Sequence, residues 1–546
     1  MSTDTTIVST PGTAARHDDR DNRADRLDAD VLIAGAGPTG LLLANELRLA
    51  GISTLVVERL TERSGQSKAL SLQPRSAEML QLRGWLEPLL SRAVDTVPGG
   101  HFAGLPLDYG VFDSPFPYQV GIPQARVEGF LEELLGEHRV PVRRGCELLD
   151  LVQDETGVTV TVTGPDGQGG PDGQGSPGAP DRTDGSAVPQ QLRARYLVGT
   201  DGGRSTVRRL LKVGFPGRDG RVSMVVADVV LETRSEESTD WRLPELAPDA
   251  GGLCVVLPLD QGLHRVLFTG PEQQQLERTA PVTGAEVATA LHRHHGERYR
   301  LRELRIASRF TDASRQVEQY RTGRVLLAGD AAHIHTPAGG QGLNLGLQDA
   351  FNLGWKLAAT LNGWAPAGLL DSYHTERHPV GAQVLENTRA QGVLLVPDID
   401  VQGLRAIVAG LLTEEQANRR IAGMISGLGI RYELPGSPAH PLLGARLPRL
   451  ELPAGRGLLL TRGERPDLAA VLAPWADRVD RAVAPEAFTG ARADDRADAQ
   501  GGAQALLVRP DGYVCWVGQD AADQPQAALR TWFGDPCELP LPSSRR

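Results

Sequence analysis

The sequence predicts an α/β protein with a Rossmann-like domain at its centre. Three junctions predict it, in each of which an apolar, strand-like run ends abruptly in glycine, followed by an acid in the second and third. They are VLIAGAGPTG at 31–40, YLVGTDGGRS at 196–205 and VLLAGDAAH at 325–333. Between them, RVSMVVADVVLE and GGLCVVLPL alternate at strand period and predict a second β-sheet, interleaved with the first domain over about 101–121 and 213–303. A chain of 546 residues is too long for one ordinary core and divides into two or three domains.

Composition narrows the classes of function. Hydrophobic residues make up 40% and charged residues 23%, a globular balance. The net charge of -11 argues against nucleic acid as a partner, because phosphate binding needs a basic face. Lysine occurs only at 68, 212 and 356, so positive charge is almost all arginine. With the abundant Ala and Gly, that skew reads as a GC-rich coding sequence and not as a binding feature. The four cysteines, 146, 254, 515 and 537, form no CxxC, which argues against a zinc site or a disulfide framework and fits a reducing cytoplasm. The first apolar run begins only at Val31 and is broken by Gly and Pro, against both a signal peptide and a membrane span. Residues 1 to about 28 read as a disordered tail. The Gly-, Pro- and Asp-rich stretch 164–190, set between VTVTVT and ARYLVG, reads as a long mobile hairpin loop.

The first junction carries a dinucleotide signature. A buried strand runs into Gly35-x-Gly37-x-x-Gly40, a helix pattern follows, and a second strand, STLVV, ends at Glu58. Such glycines give a tight turn, close backbone approach to a pyrophosphate and close helix–strand contact. The helix N-terminus adds free N–H groups and partial positive charge. Glu58, 18 residues past Gly40, stands where an acid holds a ribose 2′-hydroxyl, and it would repel a 2′-phosphate. FAD or NAD is therefore expected here, not NADP.

The second junction places Asp201, Arg204 and Ser205 before a basic helix start; alone, a surface Asp-Gly turn accounts for it equally well. The third puts Asp330 at a strand tip, then glycines 339, 340 and 342, then a long amphipathic helix pattern. Its stripe Leu343, Leu347, Ala350, Phe351 and Leu357 reads as core packing. Asp330, His333 and His335 would offer metal ligands in isolation, but the histidines read more simply as hydrogen-bonded loop residues, and no metal is expected.

Taken together, Gly35-x-Gly37-x-x-Gly40 with Glu58, Asp201-Gly202-x-x-Ser205-x-Val207-Arg208 and Gly329-Asp330-Ala331-Ala332-His333 resemble the group A flavoprotein aromatic hydroxylases, the fold of p-hydroxybenzoate hydroxylase. The resemblance covers roughly residues 29 to 395. Within that family, residues 308–358 look most like hydroxylases that tailor aromatic polyketides. ALLVRPDGYVCWVG (505–518) resembles the last strands of the thioredoxin-like domain appended to phenol-hydroxylase-type members. Lacking CxxC, that domain has no thioredoxin chemistry, and Cys515 reads as a packed thiol.

The resemblance implies an α/β fold comprising a FAD-binding Rossmann-like domain, an interleaved β-sheet substrate domain and a C-terminal thioredoxin-like domain. The FAD domain would occupy 29–100, 122–212 and 304–395, and the substrate domain 101–121 and 213–303. A helical connection at 396–430 would lead to the last domain at 431–546. The implied cofactor is FAD, with NADPH or NADH as a transient reductant and dioxygen as co-substrate. The implied activity is hydroxylation of a polycyclic aromatic polyketide, in antibiotic-type biosynthesis, through a flavin C4a-hydroperoxide. A cytoplasmic homodimer without membrane contact is the accompanying expectation.

By position, the resemblance assigns Gly35, Gly37, Pro38, Thr39 and Gly40 to the pyrophosphate loop, with Glu58 and Arg59 at the ribose. Gln124 and Arg126 would touch the nucleotide and ribityl chain. Arg204 and Ser205 would serve pyrophosphate and nicotinamide contacts, with Asp201, also counted at the cofactor site, mainly structural. Gly329 and Asp330 would hold the ribityl chain, and Pro337, Gly340, Gly342, Leu343 and Asn344 the isoalloxazine. Lys68 stands where the family often has an arginine under the flavin, keeping charge but losing the planar fork. No residue stands out as a catalytic acid or base; Lys68 and Pro337 are the candidates nearest the flavin. His101, Tyr109, Phe112 and Tyr118 are candidates for the substrate pocket, although aromatics at strand spacing are more often core. A Baeyer–Villiger oxygenase and a non-oxygenating FAD-binding protein are the alternatives. A flavin halogenase is not, since none of the seven tryptophans forms a W-x-W.

Overall fold

The protein is described here from a computed structural model, which covers residues 26–164, 189–233, 252–260, 262–396, 398–434, 440–485, 502–520 and 522–537. Most of the tail read at 1–28 and most of the 164–190 loop lie outside the described residues. The strands on either side of that loop, Val158–Thr163 and Gln190–Gly199, do pair antiparallel.

The central sheet forms because its strands are apolar on both faces, which suits a parallel sheet buried between helices. Val325–Leu327, Gln190–Gly199, Ala29–Ala34, Thr54–Glu58 and Val142–Arg144 lie side by side and parallel. Ala34 stands opposite both Gly199 and Val57, and Gly199 opposite Leu327. This register brings the three glycine junctions out at one edge of one sheet.

Two helices cover that edge, Pro38–Leu49 and Gly342–Leu361. They approach closely because a side chain on Gly346 would overlap Thr39, and one on Gly354 would come within 2.7 Å of the Glu46 Cβ. The 342–361 helix differs from the amphipathic reading in one respect. Residues 344–359 are buried on every side, including the polar Asn344, Gln348, Asp349, Asn352 and Lys356. Its polar face meets other protein, not water.

The second sheet is antiparallel, in the order Leu253–Asp260, Leu263–Thr269, Ser223–Thr233, Tyr299–Thr311. The helix Gly284–His295 packs on one face, against Val225, Val229, Val266 and Phe268. The last strand runs eight residues past the boundary read at 303. Charged Arg300, Arg302, Glu303 and Arg305 interrupt its apolar alternation. Helices Ile399–Leu411 and Glu415–Ser426 fill the connection expected at 396–430.

The C-terminal domain pairs Gly457–Thr461 parallel with Val479–Val483 and antiparallel with Ala505–Val508, which pairs in turn with Val514–Gly518. Helices Pro466–Leu472 and Gln526–Phe533 complete this thioredoxin-like arrangement. Cys515 is buried in its core with Leu459, Leu507, Trp532 and Phe533, and burial pushes its thiol up, as befits an inert packed cysteine.

Buried ion pairs fasten this domain to the first. Arg509 donates to both Glu376 oxygens at 2.7 and 2.8 Å and to Asp511. Lys356 lies 2.9 Å from the same Glu376. Arg83 binds Glu46 through both nitrogens at 2.8 Å and also donates to the Pro510 carbonyl. Removing one member of such a group strands a buried charge. Arg509→Met is expected to destabilise the protein by about 3–5 kcal/mol, seen as a lower midpoint in urea unfolding followed by tryptophan fluorescence. An unchanged midpoint would contradict the assignment.

Candidate active site

Each glycine of the first junction has a steric reason. Gly35 has φ of +110°, and a Cβ there would sit 2.5 Å from the Thr200 carbonyl. A Cβ on Gly40 would overlap the Gly35 carbonyl and crowd the Thr200 hydroxyl. Gly37 is different, because a Cβ there meets nothing within 4 Å. That open side is where a ligand's phosphates can approach the backbone. Pro38 occupies the first helical turn, and no side chain caps the helix, so its leading N–H groups face outward unsatisfied. Glu58 closes the loop: one oxygen accepts from Ala36 N and the other from Leu60 N, each at 2.9 Å. Arg59 is exposed.

At the second junction Asp201 and Ser205 both cap the helix Thr206–Leu211. Asp201 Oδ2 accepts from Thr206 N at 2.6 Å and Val207 N at 3.1 Å, and Ser205 Oγ accepts from Arg208 N at 3.0 Å. Asp201 Oδ1 is buried without a hydrogen-bond partner. Arg204 is exposed. Thr200, which the sequence did not single out, and Arg208, the last residue of the second motif, organise this corner. Thr200 Oγ1 lies 3.0 and 2.9 Å from the carbonyls of Ala34 and Gly35, tying the second junction to the first. Arg208 donates to the Gly203 carbonyl at 2.8 Å and the Ala331 carbonyl at 2.9 Å, tying it to the third.

The third junction turns at Gly329, where φ is +61° and a Cβ would lie 2.7 Å from Thr39 Oγ1. Asp330 follows, exposed and making no hydrogen bond to the described residues. Beneath it, Asp349 accepts from Gly329 N at 3.2 Å, from His333 Nε2 at 2.7 Å and from Arg377 Nε at 2.8 Å. Burial alone would raise the Asp349 carboxyl, but His333 and Arg377 outweigh it and hold it below the usual range. His335 accepts no charge: burial lowers it to about 4, so it is neutral near pH 7, with Nδ1 2.7 Å from the Thr336 carbonyl. Both histidines are therefore loop-holding residues, and no group of three or more metal-binding side chains occurs among the described residues.

The loop then passes Pro337, exposed, into Gly339 and Gly340, with φ of +73° and +64°. Helix 342–361 begins at Gly342 with no side-chain cap, so the Leu343 and Asn344 turn presents bare N–H groups. The Asn344 amide is already committed, accepting from Gln73 N at 2.8 Å and donating to the Ser71 and Gly340 carbonyls. Any contact it makes to a cofactor is through its backbone. Gln73 also donates to the Gly339 carbonyl at 2.9 Å and accepts from the Tyr109 hydroxyl at 3.1 Å. Tyr109, fully buried, is thus a link between the substrate side and the glycine loop, not a pocket wall. His101 Nδ1 accepts from Gly104 N, and burial lowers its imidazole to about 4. Phe112 is half-buried beneath the Arg419 guanidinium, and Tyr118 half-buried against Phe116.

The remaining candidates are less tightly grouped. Gln124 accepts from Ala69 N and donates to Glu128, fixing the loop after Lys68. Lys68 is exposed. Arg126 donates to the Arg92 carbonyl at 2.8 Å. A dinucleotide with a flavin fits the edge as a whole. Gly37 leaves room for a pyrophosphate, Asp330 offers a free carboxylate for ribityl hydroxyls, and two uncapped helix ends supply donors. Buried polar atoms without partners cluster there: Asp201 Oδ1, His335 Nε2, Thr336 Oγ1 and Gln341 Oε1.

Residues 28–388 match the FAD binding domain family, and residues 440–536 match the aromatic-ring hydroxylase C-terminal family. The chain belongs to the FAD-dependent aromatic-ring hydroxylases. It is an FAD-dependent monooxygenase. A 12-dehydrotetracycline 5-monooxygenase/anhydrotetracycline 6-monooxygenase of Streptomyces rimosus is 45% identical over 530 residues, 93% of this chain and 99% of that one. A rifampicin monooxygenase of Streptomyces venezuelae is 42% identical over 519 residues, 92% and 98% of the two chains. Among solved structures, the anhydrotetracycline hydroxylase OxyS of Streptomyces rimosus superposes with a TM-score of 0.80 at 44% identity, over 93% of this chain and all of that one (100%). The hydroxylase fold read from the sequence is the fold observed. No helix among the described residues is long and apolar enough to cross a membrane.

Asp330→Ala is expected to lower FAD affinity about ten- to a hundred-fold, the worth of one charge-assisted hydrogen bond at about 1.5–3 kcal/mol. Flavin content after purification measures it, and a fully loaded variant would refute the role. A second expectation concerns acid. His335 takes its proton near 6.5 when unfolded but only near about 4 when folded. Stability is thus full above pH 6.5 and is lost as pH falls towards 4. His335→Gln should flatten that loss in thermal unfolding across the window; an unchanged acid limb would count against it.

Proposed function

We propose that this monooxygenase hydroxylates a polycyclic aromatic polyketide intermediate, with NADPH or NADH as a transient reductant and dioxygen as the oxygen source. The observation that carries the reading is the single sheet edge where Gly37, Asp330 and two uncapped helix ends converge. FAD bound along that edge supplies the oxygen-activating chemistry. The chain's own residues bind and orient it. Gly37 and the Pro38–Leu49 helix end receive the pyrophosphate, Glu58 the ribose and Asp330 the ribityl chain. The uncapped Gly342–Leu361 helix end would direct its partial positive charge at a flavin ring held there and favour negative charge on it. His335, neutral at pH 7, and Tyr109, whose hydroxyl is raised by burial, add no competing base. An electron-rich phenolic ring needs none, since the substrate supplies its own electron density.

Two relatives support the substrate class, because their names give a tetracycline and a rifamycin as what they act on. Baeyer–Villiger insertion is the second reading, favoured by one feature: Lys68 is a compact exposed cation on the loop assigned to the flavin, suited to stabilising an anion. Incubation with anhydrotetracycline- and angucycline-type compounds under labelled dioxygen distinguishes the two. One labelled oxygen in a new phenol or alcohol is expected, whereas a labelled ring oxygen in a lactone would favour insertion. Reduction by NADPH in stopped flow is expected to accelerate when the aromatic compound is bound. Equal rates with and without it would contradict substrate-gated use of a visiting nicotinamide.

A further inference from the structure

The four-stranded sheet has two unlike faces. One is closed by the Gly284–His295 helix. An antiparallel sheet with one closed face ordinarily turns polar residues outward on the other. Here the cross-strand partners on the open face include Val226 beside Leu267, Leu267 beside Val255 and Val230 beside Leu263, all half-buried and apolar. One charged pair sits among them. Asp228 and Arg265 are direct cross-strand partners, flanked by Ile306 on one side and Leu257 on the other.

The pair is geometrically fixed. Arg265 Nε donates to Asp228 Oδ1 at 2.8 Å and Nη2 to Oδ2 at 2.9 Å. Only 5% of Arg265 and 7% of Asp228 are exposed. The planar fork is used on one edge, and its remaining nitrogen, Nη1, is buried with no partner. A buried guanidinium N–H without an acceptor is costly, and such a group calls for a ligand to complete it. The sheet also adjoins the flavin side. Strand 223–233 follows Gly217–Arg218, which pairs with Ser314–Gln316, which pairs with His333–Ile334 just after Asp330.

The geometry points to Arg265 as the anchor for an oxygen of the polycyclic substrate, an ionised phenol or enol held by Nη1 while its rings lie on the apolar sheet face. A flat fused-ring system with one acidic oxygen complements such a surface in both shape and charge. Asp228 acts as a positioning residue: it engages Nε and Nη2 and so leaves Nη1 as the unpaired nitrogen of the fork. This inference rests on the polyketide reading above and adds a specificity residue to it.

The test uses the FAD-loaded full-length protein and alizarin, a hydroxylated anthraquinone whose colour reports its ionisation. Wild type is expected to bind alizarin and to shift its ionisation to lower pH, because a neighbouring cation favours the anion. Arg265→Met should weaken alizarin at least about tenfold, the loss of a hydrogen bond to a charged group, and abolish the colour shift with FAD content unchanged. The double variant Asp228→Leu/Arg265→Met guards against misfolding, since it removes both buried charges together, and should behave alike. Arg265→Lys should recover part of the shift. Equal affinity and equal colour in wild type and both Met variants would overturn the role of Arg265 while leaving polycycle binding intact. Failure of wild type to bind either alizarin or anhydrotetracycline would instead sink the polyketide reading, and this inference with it.

Discussion

The helix Gly342–Leu361 is buried on all sides, so every polar side chain it carries must be paired inside the protein. Much of the molecule is arranged by that requirement. Asp349 receives His333, Arg377 and Gly329 N, which fixes the turn that presents Asp330. Asn352 and Lys356 share Glu376, and Glu376 is shared again with Arg509 from the C-terminal domain. Lys356 is lowered to about 8 by burial, with Glu376 opposing the shift. Asn344, at the helix's first turn, holds Gln73 and the glycine loop. The appended domain thus braces the helix whose uncapped end is proposed to face the flavin. Bracing of this kind keeps dipoles fixed in place before the reaction starts.

The second constraint is register. With Ala34, Gly199, Leu327 and Val57 in line, three loops distant in sequence leave the sheet together, where open α/β sheets bind ligands. Thr200 and Arg208 then stitch the three loops through backbone carbonyls. Gly37 and Asp330 are left open toward solvent, whereas nearly everything around them is engaged with protein.

Much of this was legible in the sequence. Gly35, Gly40 and Gly329 are required by contacts a Cβ would violate, so their spacing carried structural information directly. Glu58 and Asp330 could be placed because they end apolar strands. The partners Thr200, Asp349 and Arg377 were not foreseen, and Arg208 was read only as part of a motif, because a polar residue that satisfies a backbone group across the fold leaves no local pattern. Ser205 read as a ligand contact and is seen first as a helix cap, as is Asp201, which read as mainly structural; short polar residues before a helix commonly fill this role. Tyr109 read as a pocket candidate because buried aromatics look alike in sequence; only its bond to Gln73 separates a link from a wall. Arg265 and Asp228 were invisible for a related reason, since their pairing depends on which strands neighbour one another.

The central claim is that three strand ends and two bare helix ends together form one flavin site. A crystal structure of the FAD-loaded protein tests it most directly. The account predicts pyrophosphate oxygens on the backbone N–H groups after Gly37, a ribityl hydroxyl on Asp330 and the ring over the Gly339–Leu343 turn. A flavin bound away from that edge, or an Asp330 carboxylate still facing only solvent in the complex, would contradict it.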